Sequence, residues 1–420
     1  MIQKIVSPAG IEAWLVEDYA VPVVAIDAAF RGGAAQDPAG KAGSAHLMAA
    51  LLDEGAGDLD DEAFQLQLEE HALELSFSTG RDQITASLRM LAGKRSEGAR
   101  LMALALQAPR FDQEAVERVR ESYLSGLRRE INEPSAMASR ALFRALFPGH
   151  PYAENPRGTI ETMSALGRDD VVGRHRVLIA RDVLRVSIVG AINRDEAAAL
   201  IDTVFAPLPA KAALASVPTV QPSAIGQRKL IDLDVPQSVV QIATPGLMRH
   251  DPDFMAAMVV NHILGGGAFS SRLYQEVREK RGLAYSVSTQ ILPLEHAAMV
   301  VGGVATRNDR AAESVRLIEE ELRRMAAEGP NEDELSSAKK YLTGSYALRF
   351  DTSGKIASQL TQIQVDGFGI DYIDRRNSLI EAVSLEDARR AARRMFGDGQ
   401  ALVVAVGRPE GLGADVAAAA

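Results

Sequence analysis

The sequence contains no cysteine, which excludes disulfide frameworks, thiolate nucleophiles and cysteine-ligated zinc or iron–sulfur centres. Any catalysis must therefore use histidine, carboxylates, hydroxyls or arginine. It also lacks an excess of basic residues. Against 46 Lys and Arg stand 56 Asp and Glu, a net charge of −10, so nucleic acid and anionic membrane surfaces would be repelled at long range and neither is an expected partner. No window approaches the roughly 20 apolar residues that a bilayer crossing needs. The opening MIQKIVSPAG runs straight into a strand-like stretch without a basic segment and apolar core of the signal-peptide type. The expectation is a soluble chain of the cytoplasm or periplasm, since an exported chain whose leader had been removed would read the same. What is present, 47% hydrophobic and 24% charged residues over 420 positions, is the composition of a globular protein of two or three domains.

Between Phe205 and Gln227 four prolines (Pro207, Pro209, Pro218 and Pro222) stand among small residues without helical or strand periodicity, which predicts a linker over 207–227 between domains at 1–206 and 228–420. The two halves repeat each other. Leu51 to Gly57 leads through a helical stretch to Ser76-Phe77-Ser78-Thr79, as Ile263 to Phe269 leads to Ser286-Val287-Ser288-Thr289. Tyr123-Leu124-Ser125-Gly126 matches Tyr341-Leu342-Thr343-Gly344, and Val186 to Gly190 matches Val403 to Gly407. Matches in the same order at nearly constant spacing indicate a structural duplication. Within each half, strand patterns such as Val21 to Phe30 mix with helical ones such as Asp112 to Ile131, the mark of an α+β fold. In the second half a glycine loop leads to a helix over Ser271 to Arg281. Gly282 then stands where a C-cap is wanted, and Leu283, Tyr285, Val287 and Thr289 alternate with polar neighbours as in a half-buried strand.

None of the seven histidines has a partner at the i, i+4 spacing with which one helix face grips zinc. Gln67-Leu68-Glu69-Glu70-His71 only imitates H-x-x-E-H and reads as a solvated helix face. The acidic run Asp53, Glu54, Asp58, Asp60, Asp61, Glu62 reads as a solvated loop. Gly265, Gly266 and Gly267 lack the context of a phosphate cradle. They suit either close approach of an extended peptide or a tight turn before a Ser270-Ser271 cap.

Three stretches resemble the pitrilysin/insulinase family of inverted zincins, whose zinc box is H-x-x-E-H. They are Phe30 to His46, Phe147-Pro148-Gly149-His150-Pro151-Tyr152, and Leu264 to Tyr285. The resemblance spans nearly the whole chain and implies two duplicated domains, each a mainly antiparallel sheet covered by helices. Where the family carries His, Glu and His, this chain reads His46-Leu47-Met48-Ala49-Ala50, and the third-ligand position falls on Gly126. One histidine offers neither three ligands nor a base, so no zinc or other cofactor is expected in this chain. The resemblance further implies that short members pair as two-domain chains. A zinc-bearing subunit with an intact box would then face an Arg/Tyr pair, here Arg278 and Tyr285, across a peptide substrate held with help from Gly265 to Gly267. On the residues alone, Tyr285 could pack with Leu283 and Val287, and Arg278 could be one charge among Glu276, Glu279, Lys280 and Arg281. The repeat sets these two positions opposite Leu68 and Leu75, so apolar positions of one copy are polar in the other. The expectation is a non-catalytic subunit of a heterodimeric zinc peptidase. The alternative is a degenerate homologue acting as a scaffold or peptide-binding protein without a peptidase partner.

Overall fold

The computed structural model describes residues 1–413 and the short strand Val416–Ala417. Two six-stranded sheets carry the fold. In the first, β1 (Ile2–Val6), β2 (Glu12–Glu17), β3 (Val23–Arg31), β4 (Glu74–Thr79), β5 (Gln83–Leu91) and β6 (Leu184–Gly190) lie in the order β1-β2-β6-β3-β5-β4. In the second, β7 (Arg228–Asp232), β8 (Gln237–Pro245), β9 (Ala284–Pro293), β10 (Ala298–Arg307), β11 (Leu402–Gly407) and β12 (Val416–Ala417) lie in the order β12-β7-β11-β8-β10-β9. Neighbours are antiparallel except β2 with β6, β7 with β11 and β7 with β12. Taken from β2 and from β7, the two orders are the same permutation of sequential strands, so the duplication extends to the topology. The matched Ser-x-Ser-Thr segments occupy the edge strands β4 and β9, and the matched Val-rich segments occupy β6 and β11.

The compact units do not follow contiguous halves of the chain. One unit comprises Met1–Leu127, Asn155–Val217 and Tyr346–Ile373, and the other Arg128–Glu154, Pro218–Ser345 and Asp374–Ala420. Each therefore takes one helix from the opposite half of the sequence. In the first unit, helix Ser353–Val365 packs on β3 and β6. Its Thr361 hydroxyl donates to the Asp27 carbonyl at 3.1 Å, and the Gln364 amide donates to the Val186 carbonyl and the Ser187 hydroxyl, both at 2.9 Å. In the second unit, helix Pro134–Leu146 packs on β8 and β11, with the Ser223 hydroxyl donating to the Ala145 and Leu146 carbonyls. These bonds meet polar groups that burial between a sheet and its covering helix would otherwise leave unpaired.

From 206 to 227 there is neither helix nor strand, yet the segment is anchored. Pro209 accepts from the Arg181 N–H at 2.9 Å, Val220 donates to the His296 carbonyl at 2.8 Å, and Leu214 packs on the first core. Among the described residues, no helix is long and apolar enough to cross a membrane.

Candidate functional site

The zinc-box remnant lies on helix Ser44–Ala49, which starts at Gly43 in a left-handed conformation (φ 95°). A side chain there would meet the Arg157 carbonyl at 2.8 Å, so the position admits only glycine. Asp37 clasps this start, accepting from the Gly43 N–H (2.8 Å), the Ser44 hydroxyl (2.8 Å) and the Ala45 N–H (2.9 Å). Burial nevertheless pushes its carboxyl up to about 6. Ala49, at 2% exposure, is part of the core and Ala50 packs against it. Gly126 lies on helix Gln113–Glu130. One turn before it, Tyr123 lies against His46 with ring centroids 4.8 Å apart and the rings tilted by 35°. His46 is pushed down to about 4, chiefly by burial and further by the Arg157 charge, and is neutral at physiological pH. The donor set does not fit a zinc ion: three of the four family positions are Ala49, Ala50 and Gly126, and the remaining imidazole sits against an aromatic ring and near a cation.

The other unit holds a second His–Tyr ring pair, this one stacked. His262 lies on Tyr341 at 4.8 Å and 24°, and burial lowers its pKa. The offsets from His46 and Tyr123 are both about 217 residues, so the pair belongs to the duplication. The matched Tyr123 and Tyr341 segments carried half of this signal in the sequence, whereas the glycine-motif match, at an offset of 212, sets His262 opposite Ala50 and not His46.

Gly265, Gly266 and Gly267 form the end of a π-helical turn, His262–Gly266, and its cap. None has positive φ, so they are not glycines for want of a left-handed turn. They are glycines because space is lacking. A Cβ on Gly265 would lie 2.5 Å from Thr289 Oγ1, one on Gly266 2.8 Å from Asn261 Nδ2, and one on Gly267 2.7 Å from the His262 carbonyl. The strained residue is instead Ala268, at φ 46°. Asn261 Oδ1 and Thr289 Oγ1, both buried beside these glycines, have no hydrogen-bond partner. The Ser271 hydroxyl accepts from the Tyr274 N–H at 3.4 Å, a helix start of the expected kind.

The helix that follows is wound as a π-helix over Tyr274–Glu279 and ends at Gly282 (φ 62°). It presents Arg278 between two tyrosines, with its guanidinium carbon 4.8 Å from the ring centroids of both Tyr274 and Tyr285. Arg278 Nη1 donates to the Tyr274 hydroxyl, and Nε lies 3.9 Å from Glu279. Tyr274 is buried and edge-on to the exposed Phe269 at 5.0 Å. The structure therefore brings Arg278 and Tyr285 together and adds Tyr274, which holds the guanidinium and was not singled out in the sequence. Its i, i+4 spacing to Arg278 was the available signal.

Tyr285 is 83% exposed, while Val287 and Thr289 further along β9 are buried. The cause is a β-bulge. Val304 pairs with Val287 and Thr306 with Ala284, leaving Tyr285 and Ser286 opposite the single Ala305. In the first unit the equivalent pair β4 and β5 keeps an unbroken register, and Leu75 is 9% exposed. The packing alternative for Tyr285 is thereby excluded. The acidic run also departs from expectation. Asp60 caps helix Asp61–Glu70 through the Ala63 N–H, Arg118 bridges Glu54 and Asp61, and burial pushes Asp53 up to about 6.

The family model for insulinase (peptidase family M16) matches residues 15–159, and that for the M16 inactive domain matches residues 165–342. The chain belongs to the insulinase peptidase family. Within that family it is similar to the non-peptidase homolog YmxG of Helicobacter pylori, 28% identical over 80% of this chain and 78% of that protein. It is also similar to an uncharacterized zinc protease of Streptomyces coelicolor, 26% identical over 68% and 64% of the two chains. A crystal structure of a peptidase M16 inactive domain from Pseudomonas fluorescens superposes with a TM-score of 0.90 at 26% identity, covering 100% of this chain and 99% of that one. With three of these four family positions replaced, this chain is a non-catalytic member of the insulinase family.

Proposed function

We propose that the chain is the supporting subunit of a heterodimeric zinc peptidase and lends Arg278 and Tyr285 to a homologous two-domain subunit that carries an intact H-x-x-E-H. The observation that carries this reading is the bulge that holds the Tyr285 ring out to solvent beside a guanidinium fixed on Tyr274. An exposed aromatic next to an oriented cation is not needed for folding, since the other copy of the fold has leucines at the corresponding positions. The chemistry suits peptide cleavage. A zinc held by the partner's H-x-x-E-H would supply the activated water. The Tyr285 hydroxyl and the Arg278 N–H groups of this chain can both donate to a substrate carbonyl and to the negative oxygen that develops as it becomes tetrahedral.

Metal analysis and a quenched-fluorescence peptide assay test the division of roles. The chain alone is expected to hold no stoichiometric zinc and to cleave nothing, and hydrolysis is expected to appear when a zinc-bearing short family member is added. One tightly bound zinc per chain with chelator-sensitive hydrolysis by the chain alone would contradict it.

A further inference from the structure

The first unit contains an open cavity of about 510 Å³, within the range of small-molecule sites, whose lining includes none of the residues discussed above as catalytic or substrate-binding. Two aromatic residues are among those lining it: Trp14 of β2, the sole tryptophan, which is 4% exposed, and Phe368, which follows helix Ser353–Val365. Phe368 is held by stacking on Tyr372 at 4.4 Å and 13°. Ile11 and Leu184 add aliphatic surface. Two arginines line the same cavity, Arg181 from the turn before β6 and Arg185 from the start of β6. Among the described residues neither has an ion-pair partner, in a chain whose net charge is −10. Arg185 Nη1 donates only to the neighbouring Leu184 carbonyl, at 2.8 Å. Arg181 Nε is buried without any hydrogen-bond partner. That nitrogen is enclosed by the protein itself, so it is the positive charge of the guanidinium, without a carboxylate partner among the described residues, that an anion in the cavity would offset.

The acidic groups on the cavity set the charge of the ligand. Asp182 spends Oδ1 on the Ala212 N–H at 2.9 Å, and Glu12 is paired with Lys4 at 2.7 Å. Two free guanidiniums against Asp182 leave about one positive charge, which suits a monoanion better than a phosphate dianion. We propose that this cavity is a binding site for a carboxylate attached to an aromatic or branched apolar group. The carboxylate is held by Arg181 and Arg185 and the apolar body lies against Trp14 and Phe368. The C-terminal residue of a peptide and a free aryl or alkyl acid share this chemistry.

Trp14 is itself the reporter. Its emission is excited at the red edge of indole absorption, where the tyrosines do not contribute, and the full chain is titrated with N-acetylphenylalanine, its amide, a tetrapeptide ending in phenylalanine, and inorganic phosphate. The expected result is a saturable change with N-acetylphenylalanine and none with the amide. Arg181→Gln and Arg185→Gln should each weaken binding about tenfold, the loss of one charge-assisted contact. Tighter binding of the tetrapeptide identifies peptide ends as the source, and equal or weaker binding identifies free acids. An equal response to acid and amide, no saturable response to either carboxylate, or preference for phosphate would overturn the proposal.

Discussion

His46 shows how a metal position is absorbed into a core. With alanine at positions 49 and 50 and glycine at 126, the imidazole is left between Tyr123 and Arg157, and both burial and that charge disfavour its protonated form. In the unfolded chain it titrates near its ordinary value of 6.5, and in the fold at about 4. The unfolded state therefore binds the extra proton between these values. The stabilisation is complete above pH 6.5 and is lost as the pH falls toward 4. Asp37 and Asp53, raised to about 6, act in the opposite sense, since their neutral forms favour the fold at low pH. Comparison with a His46→Phe variant cancels their contribution. In denaturant unfolding across this range, the wild-type protein should lose stability relative to His46→Phe on acidification, and a constant difference would show that His46 titrates normally. The loss of zinc ligands was legible in single letters of the sequence. The Tyr123 contact was not, because it joins residues on two helices, and only the second copy at His262 and Tyr341 hints at it.

At the scale of elements, two local irregularities make the candidate site. The glycine turn is packed so closely on β9 that Gly265→Ala would place a methyl 2.5 Å from Thr289 Oγ1 and 2.8 Å from the Thr289 backbone nitrogen. The backbone contact cannot be relieved by a rotamer change, so the variant should lose about 1–3 kcal/mol in equilibrium unfolding, as overpacked cores do. An unchanged midpoint would mean that the turn has slack. The bulge in β9 decides where Tyr285 points. Alternation from Leu283 to Thr289 correctly predicted a strand, but it also put Tyr285 on the face of Val287. A bulge is set by the register against a partner strand, here at Ala305, and a partner some 20 residues away in sequence leaves no local mark. The π-helical winding around Arg278 was hidden for a similar reason, since Leu273 and Val277 are spaced as in an ordinary α-helix.

For the whole molecule, the duplication was readable because three matched segments fall on equivalent strands and helices. The exchange of helices was not. Helices Pro134–Leu146 and Ser353–Val365 each complete the unit of the opposite half, and their sequences are amphipathic in the ordinary way without naming the sheet they cover. The two copies also differ at the candidate site: one has a histidine without co-ligands, and the other has an exposed tyrosine beside an oriented arginine, the division on which the proposed function rests. The most direct test is turnover by the complex with a zinc-bearing partner, comparing wild type with Tyr285→Phe, which removes only a hydroxyl. The variant should pair normally, leave the partner's zinc content unchanged and lower kcat by on the order of 10²-fold, as expected for the loss of one oxyanion donor. Full turnover by an equally stable complex would contradict the role assigned to this subunit.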